Sequence, residues 1–308
     1  MKRALPFLLV LFLCGCNVVP HKTVSLEQSR IITVIGIDVT ENGYRVSCFE
    51  GTDLSEETEP SPERLFTIDG NTLRDATTRL FAASVHRPMA DYASVILLGK
   101  ELLEGDPLSA LTELYDIPEL PFGVPVLMAE PSAHTVLDAL AKKTADLSGS
   151  IDAMLQSANR LSLPEAPTLP RFYNLLLSPH KTPTLPCLNN EDDVVALSGV
   201  GVFQHGVLTK TLTDTASKGL GVLSESVRDY PLSLDFNTTV YLRRAQVTKK
   251  KNEVHVMLYA DTGAKENAEA LSKAVETEIR GWINEAFNAL QNTPLELSVK
   301  CRIKEMIS

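Results

Sequence analysis

The sequence predicts an α+β fold in which β-sheets pack against helices, and three observations carry that expectation. Runs such as Ile31 to Val39 and Val194 to Phe203 are β-branched and nearly continuously apolar, as buried strands are. Leu271, Val275, Ile279, Trp282, Ile283, Ala286 and Leu290 recur at helical spacing and form one stripe of a long helix. Strand and helix patterns also alternate along the chain, which places both kinds of element in the same units.

The chain opens with Lys2 and Arg3, a short apolar stretch from Ala4 to Leu13, and then Leu13-Cys14-Gly15-Cys16. About ten apolar residues cannot span a bilayer, which needs about 20, but they suit the h-region of a signal peptide. A Cys after a small residue at the end of such a segment is the lipobox spacing, where a lipoprotein signal peptidase cuts and the thiol carries lipid. The expectation is a signal peptide over 1–15, lipid attachment at Cys16 and a membrane tether over 16–22. Asn17 to Lys22 would reach at most ~20 Å at ~3.3–3.6 Å per residue, so the folded body would sit close to the membrane.

A hairpin comes first in the folded part: Ile31 to Val39 and Tyr44 to Phe49 flank Glu41-Asn42-Gly43, with Asn-Gly as the turn signal. Asp53 to Glu63, acidic and carrying Pro60 and Pro62, reads as an exposed loop. After Gly70-Asn71, a plausible cap, Leu73, Ala76, Thr77, Leu80, Phe81 and Ser84 predict a helix. Tyr92 to Leu98 is a buried strand. Asp106-Pro107 opens the next helix, with Asp as cap and Pro in the first turn. Val124 to Ala129 is a strand, and Ser132 caps a helix carrying Val136, Leu137, Leu140 and Ala141. Six prolines between Leu163 and Pro186 forbid a long helix and suggest extended chain over a surface. Glu191-Asp192-Asp193 marks a turn. Val194 to Phe203 pairs with Val207 to Leu212 across His205-Gly206, and Thr213 to Leu223 forms a short helix. Thr239 to Val247 and Glu253 to Tyr259 form a last hairpin around Lys249-Lys250-Lys251-Asn252, a solvated tip. The long helix, Pro294 and a closing strand from Leu295 to Ile303 complete the chain. Three mixed α/β domains are expected: an N-terminal unit over 23–143, a middle unit over 144–224 and a C-terminal unit over 225–308.

Composition narrows the function. The chain is 44% hydrophobic and 22% charged, as globular proteins are. Its net charge is -10; without Lys2 and Arg3, 27 basic residues face 39 acidic ones, near -12. Nucleic-acid binding rests on clustered Lys and Arg, so this balance argues against it. Cys48, Cys187 and Cys301 lie far apart and predict small buried residues rather than a zinc site.

Catalytic patterns are missing. No G-x-S-x-G elbow occurs, and Gly199-Val200-Gly201 with Gly206 fails dinucleotide spacing inside a strand pattern, where glycines mark a bulge or close backbone approach. Histidines at 21, 86, 134, 180, 205 and 255 are scattered. Asp38 could serve as an acid or metal ligand, but a strand-end Asp bonding amides of the following turn is the simpler reading. The carboxylates at 191–193 and 56–59 lie in loops without apolar neighbours to raise a pKa. The sequence thus predicts no enzyme, no cofactor and no metal site.

Several stretches, in order, resemble the Ger(x)C family, the lipoprotein C subunits of spore germinant receptors. After the lipobox, Ile32-Thr33-Val34-Ile35-Gly36-Ile37-Asp38 is similar to the family's opening "GiD" strand, and Gly43-Tyr44-Arg45-Val46 follows. Gly70 to Ala76 resembles a "G-x-t-l-x-e-A" helix start, and Val95 to Leu102 with Leu103-Glu104-Gly105-Asp106 its next strand and turn. Leu185-Pro186, Leu197 to Phe203, Gly206-Val207-Leu208 and Thr211-Leu212 are similar to its middle strands. The resemblance implies three α+β domains, the last shortened here between its long helix and final strand. It also implies a non-catalytic subunit, lipid-anchored on the outer face of the spore inner membrane and assembled with two integral membrane germinant-receptor subunits. A solute-binding lipoprotein of a transporter is the alternative; it would need two similar lobes around a cleft.

Overall fold

The structure is a computed structural model, and it describes residues 29–51, 64–83, 87–117, 120, 123–144, 146–178, 182–234, 238–250, 253–263, 268–290 and 296–305. The expected mixed α/β character is borne out. Among the described residues two sheets form, where three units each with its own sheet were expected.

Strand β1 (Ser29–Thr40) turns back into β2 (Gly43–Gly51), as the hairpin signal requires. Thr40 pairs with Gly43, so the two loop residues are Glu41-Asn42, one residue earlier than the Asn-Gly signal places them. Gly43 adopts φ +145, and a Cβ there would overlap the carbonyl oxygen of Gly70. Strand β3 (Arg64–Gly70), absent from the sequence reading, pairs with β2 along its whole length. Helix α1 (Leu73–Ala83) follows, with Thr72 Oγ1 accepting from the Asp75 amide at 3.0 Å and Asp75 Oδ2 accepting from the Asn71 amide at 3.1 Å. The cap is therefore Thr72, with Asp75 reaching back across it. A short β4 (Arg87–Met89) lies beside β1.

Next come β5 (Val95–Gly99), α2 (Lys100–Glu104) and α3 (Pro107–Tyr115), then β6 (Val126–Glu130) and α4 (Ala133–Ala141). Asp106 and Ser132 cap as the sequence predicts: their side chains accept from Ser109 N and Thr135 N. Two helices that the sequence reading missed, α5 (Leu147–Ser157) and α6 (Leu169–Leu176), precede β7 (Thr184–Glu191). The proline-rich stretch is therefore not simply extended chain over a surface. Pro170 occupies the first turn of α6, where its missing N–H costs nothing, and Phe172 is fully buried. Pro186 sits within β7 at a register shift against β8, the kind of site where a strand tolerates proline.

Strands β8 (Val194–Gln204) and β9 (Val207–Leu212) form the expected hairpin, its turn built on His205 and Gly206, both at positive φ. Together these strands make the nine-stranded sheet, ordered β3-β2-β1-β5-β6-β7-β8-β9, with β4 beside β1. β1, β5, β6 and β7 run parallel, and β6 pairs directly with β7. The large sheet thus draws its strands from both sides of residue 143.

Its parallel centre is buried on both faces, which is why β1, β5 and β6 read as unbroken apolar runs. Ile35, Ile37, Ile96, Leu98 and Met128 face one core, shared with α1, α3 and α6. Val34, Val95, Leu97, Leu127 and Ala129 face the other, shared with α4 and α5.

Helix α7 (Asp214–Leu223) leads to the second sheet, ordered β10 (Tyr230–Ser233), β11 (Thr239–Lys250), β12 (Glu253–Thr262) and β13 (Glu296–Glu305). Helix α8 (Ala268–Ala289) covers one face of it with the predicted stripe, of which Leu271, Val275, Ile279, Trp282, Ile283 and Ala286 are buried. Helices α7 and α8 cross closely at Gly219, where a Cβ would overlap the Trp282 carbonyl oxygen. One row of α8 side chains also occupies the free edge of β13: Ser272 donates to Cys301 O, Glu276 accepts from Cys301 N and Arg280 donates to Leu297 O. An open strand edge invites pairing with other chains, and these contacts block it.

Candidate functional site

In open α/β sheets, ligands bind outside the carboxyl ends of the parallel strands. Here that edge brings together Asp38 from β1, Gly99 at the end of β5, Lys100 at the start of α2, and Glu130 from β6. The first turn of α4 lies above them.

Asp38 is 6% exposed. Its Oδ1 accepts from the Ala133 amide at 2.7 Å and its Oδ2 from the His134 amide at 2.8 Å. Ser132 Oγ accepts from the Thr135 amide at 3.1 Å. Three successive orphan amides of the α4 N-terminus are therefore satisfied, two of them by a carboxylate on a strand. The sequence reading had Asp38 bonding amides of the turn that follows it. Backbone amides are indeed its partners, but they belong to a helix more than ninety residues further along. Two glycines make the reach possible. A Cβ on Gly36 would lie 2.8 Å from Leu137 Cδ1 and 3.0 Å from Ala133 Cβ, so glycine lets α4 lie against β1. A Cβ on Gly99 would overlap Asp38 Oδ1. Burial pushes the Asp38 carboxyl above its ordinary value, opposed by the two amides and by the nearby His134 and Arg45.

A polar layer continues from this cap toward the sheet edge. Ser47 Oγ lies 3.2 Å from His134 Nδ1, and Thr67 donates to Ser47 Oγ at 3.2 Å. Ser47 is fully buried. Arg45 binds Asp69 through Nε and Nη2 at 2.8 and 2.9 Å, which holds the Asp69 carboxyl below the usual carboxylate range. Lys100 Nζ meets Glu130 Oε1 at 2.7 Å. Asp38, Ser47, Thr67, His134, Arg45, Asp69, Lys100 and Glu130 are thus each bonded to another part of the chain, and the Asp38 and Ser47 bonds clamp helix α4 onto the sheet. Sequence reasoning left His134 among the scattered histidines and passed over Ser47 and Thr67. Their one signal was alternation: Ser47 and Thr67 share a cross-strand position on β2 and β3.

The remaining residues singled out in the sequence lie apart. Cys48 and Cys187 are buried and Cys301 is half-buried, all as free thiols. Burial pushes the first two up to about 12 and the third up to about 11. His205 is exposed in its turn, and His255 pairs with Glu253 at 3.0 Å. Gly199 adopts φ +87 with Leu212 O 2.7 Å from its Cβ position, the close backbone approach expected there. Asp192 and Asp193, both at positive φ, form the β7–β8 turn. Among the described residues, no three His, Cys, Asp or Glu side chains are grouped to hold a metal, and no helix is long and apolar enough to cross a membrane. Cys16, the signal and tether segments, His21, His86, His180 and the carboxylates at 56–59 lie outside the described residues.

Comparison with known proteins places these features. Residues 22–189 match a family model described as the spore germination protein N-terminal domain. No curated protein matches the chain. Among solved structures, the crystal structure of the GerBC protein is similar at 11% identity and a TM-score of 0.48, covering 89% of this chain and 97% of that one. The matched residues run from ahead of β1 into β7 and include the Asp38 clamp and its two glycines.

Proposed function

The chain belongs to the Ger(x)C family of spore germination proteins, and from that membership we propose that it is the lipid-anchored, non-catalytic C subunit of a nutrient germinant receptor. The observation that carries this reading is the family match over residues 22–189, more than half of the chain. The chain is held by lipid on Cys16 at the outer face of the spore inner membrane, beside two integral membrane subunits that sense nutrients. Within this reading it divides into an N-terminal unit over 23–143, a middle unit over 144–224 that extends the same sheet, and a C-terminal unit over 225–308 around the small sheet.

A scaffold role is supported by where the reactive groups sit. The Asp38 carboxylate and the Ser47 hydroxyl are committed to helix α4, and the thiols of Cys48 and Cys187 are buried with their ionisation suppressed. The alternative of a transporter's solute-binding protein calls for two comparable lobes. A nine-stranded sheet beside a four-stranded one is a poor fit to that.

The test is affinity capture of tagged protein from detergent-solubilised spore membranes, with Cys16→Ala alongside. Two polytopic membrane proteins should co-purify with the native chain and be much reduced with the variant. Capture of a permease with its ATPase, or of neither, would refute the receptor assignment.

A further inference from the structure

The small sheet has one face under α8 and the other open to solvent, and the open face differs in charge from the acidic chain as a whole. Two neighbouring rows of side chains cross three strands there. Arg244, Tyr259 and Arg302 stand opposite one another in the first row, and Gln246, Met257 and Lys300 in the second. Arg244, Gln246, Lys300 and Arg302 are exposed, while Tyr259 and Met257 are half-buried between them. The Arg244 guanidinium lies over the Tyr259 ring, 4.8 Å from its centroid, and the Tyr259 hydroxyl donates to Gln246 Oε1 at 3.0 Å. Neither row contains a carboxylate. Acids stand on either side of these rows: Arg243 pairs with Asp229 and Asp261, and Glu253, bonded to His255, stands opposite Glu296. No ion pair among the described residues engages Arg244, Lys300 or Arg302.

We propose that this face docks on anionic membrane lipid, with Arg244, Lys300 and Arg302 meeting headgroup phosphates and Tyr259 and Met257 lying at headgroup level. Charge complementarity is the first argument. Three unpaired cations around an aromatic ring and a thioether suit the interface of an acidic bilayer, where basic residues are drawn to the surface and tyrosines to the headgroups. Shape is the second, since a pleated face presents its side chains as a plane. The third is that the neighbouring strand edge is closed. A partner peptide adding at the β13 edge, beside Arg302 and Lys300, would meet Ser272, Glu276 and Arg280, which already occupy it. Most of the net charge of -10 lies more than a Debye length away, about 8 Å in physiological salt, and is screened, while the nearer Asp261 is held by Arg243. Beside the patch lies a hollow of about 660 Å³ lined by Arg160, Leu161, Asp229, Pro231, Tyr241 and Arg243, in which Arg243 is paired with Asp229. The proposal needs only this face and stands apart from the receptor assignment.

The experiment uses the full chain with Cys16→Ala, so that no protein-bound lipid contributes. Flotation with vesicles of phosphatidylcholine alone, or with phosphatidylglycerol added, reads the ratio of the two binding constants. Any grip by residues 4–13 is common to all variants. Each of Arg244→Gln, Lys300→Gln and Arg302→Gln should lower the anionic preference about fivefold, and the triple variant about a hundredfold, with unchanged thermal midpoints. Arg244→Lys with Arg302→Lys should keep the preference, because lipid phosphate reads charge rather than guanidinium shape. An undiminished preference in the triple variant overturns the proposal. So does salt-sensitive self-association that the triple variant abolishes while vesicle binding stays the same, which would make the face a contact between copies of this chain.

Discussion

Replacing Asp38 by alanine should loosen helix α4 from the large sheet without disturbing the hydrophobic packing around it. The substitution strips the Ala133 and His134 amides of their acceptors. The Ala133 amide is buried, and an orphaned buried donor costs about 1–3 kcal/mol. The His134 amide is partly exposed, so water restores part of its bond. The α4 dipole also loses a facing charge, worth about 0.3–1 kcal/mol. Against these, the variant no longer buries a carboxylate whose ionisation the site disfavours. The balance is about 2–4 kcal/mol for Asp38→Ala. Asp38→Asn keeps one acceptor oxygen for two donors and should cost about half as much. Urea unfolding followed by circular dichroism at pH 7 measures both, with the m-value as the check that the denatured state is unchanged. Asp38→Ala within about 0.5 kcal/mol of the native chain, the range of ordinary surface substitutions, would refute the clamp. Equal costs for the two variants would show that the paired-amide geometry is not what matters.

Other expectations test the packing elsewhere. The folded-state pKa values of Cys48 and Cys187 lie near 12, against about 9 for an unfolded thiol, so these groups favour the fold fully below pH 9 and lose that contribution as pH rises toward 12. Urea midpoints between pH 8 and 10.5 should fall less steeply for the Cys48→Ala/Cys187→Ala variant, by up to about 1.4 kcal/mol per pH unit per thiol; parallel slopes would contradict it. Gly219→Ala places a methyl against the Trp282 carbonyl oxygen, and overpacking of this kind costs about 1–3 kcal/mol or more. Gly281→Ala, on the exposed side of α8 with nothing within 4 Å, should instead stabilise by about 0.5–1 kcal/mol, and thermal melts of the two variants should move in opposite directions. Ser272→Ala, Glu276→Ala and Arg280→Ala together unblock β13, so light scattering during concentration should rise sooner than for the native chain.

What the sequence determined by itself was local. The stripe of α8, the caps at Asp106 and Ser132 and the turn at Asp192-Asp193 depend on spacings within a few residues, and such spacings are written directly in the chain. The unbroken apolar runs of β5 and β6 likewise announce strands covered on both faces. β3 and β10 were illegible because short, half-exposed strands owe their existence to a neighbour: β3 forms on β2, and β10 on β11. The α6 helix was hidden by prolines that reads as breakers until one is placed in the first turn. The Ger(x)C motifs could be recognised as strings, but their physical sense came only from the fold. Gly36 and Gly99 are glycines because a helix and a carboxylate from distant parts of the chain need the space. Asp38 lies at the end of β1 because the amides it satisfies begin at Ala133, and no local pattern brings those residues within hydrogen-bonding distance. The basic face on β11, β12 and β13 has the same origin: its charges are scattered through an acidic sequence, and only the register of three strands gathers them.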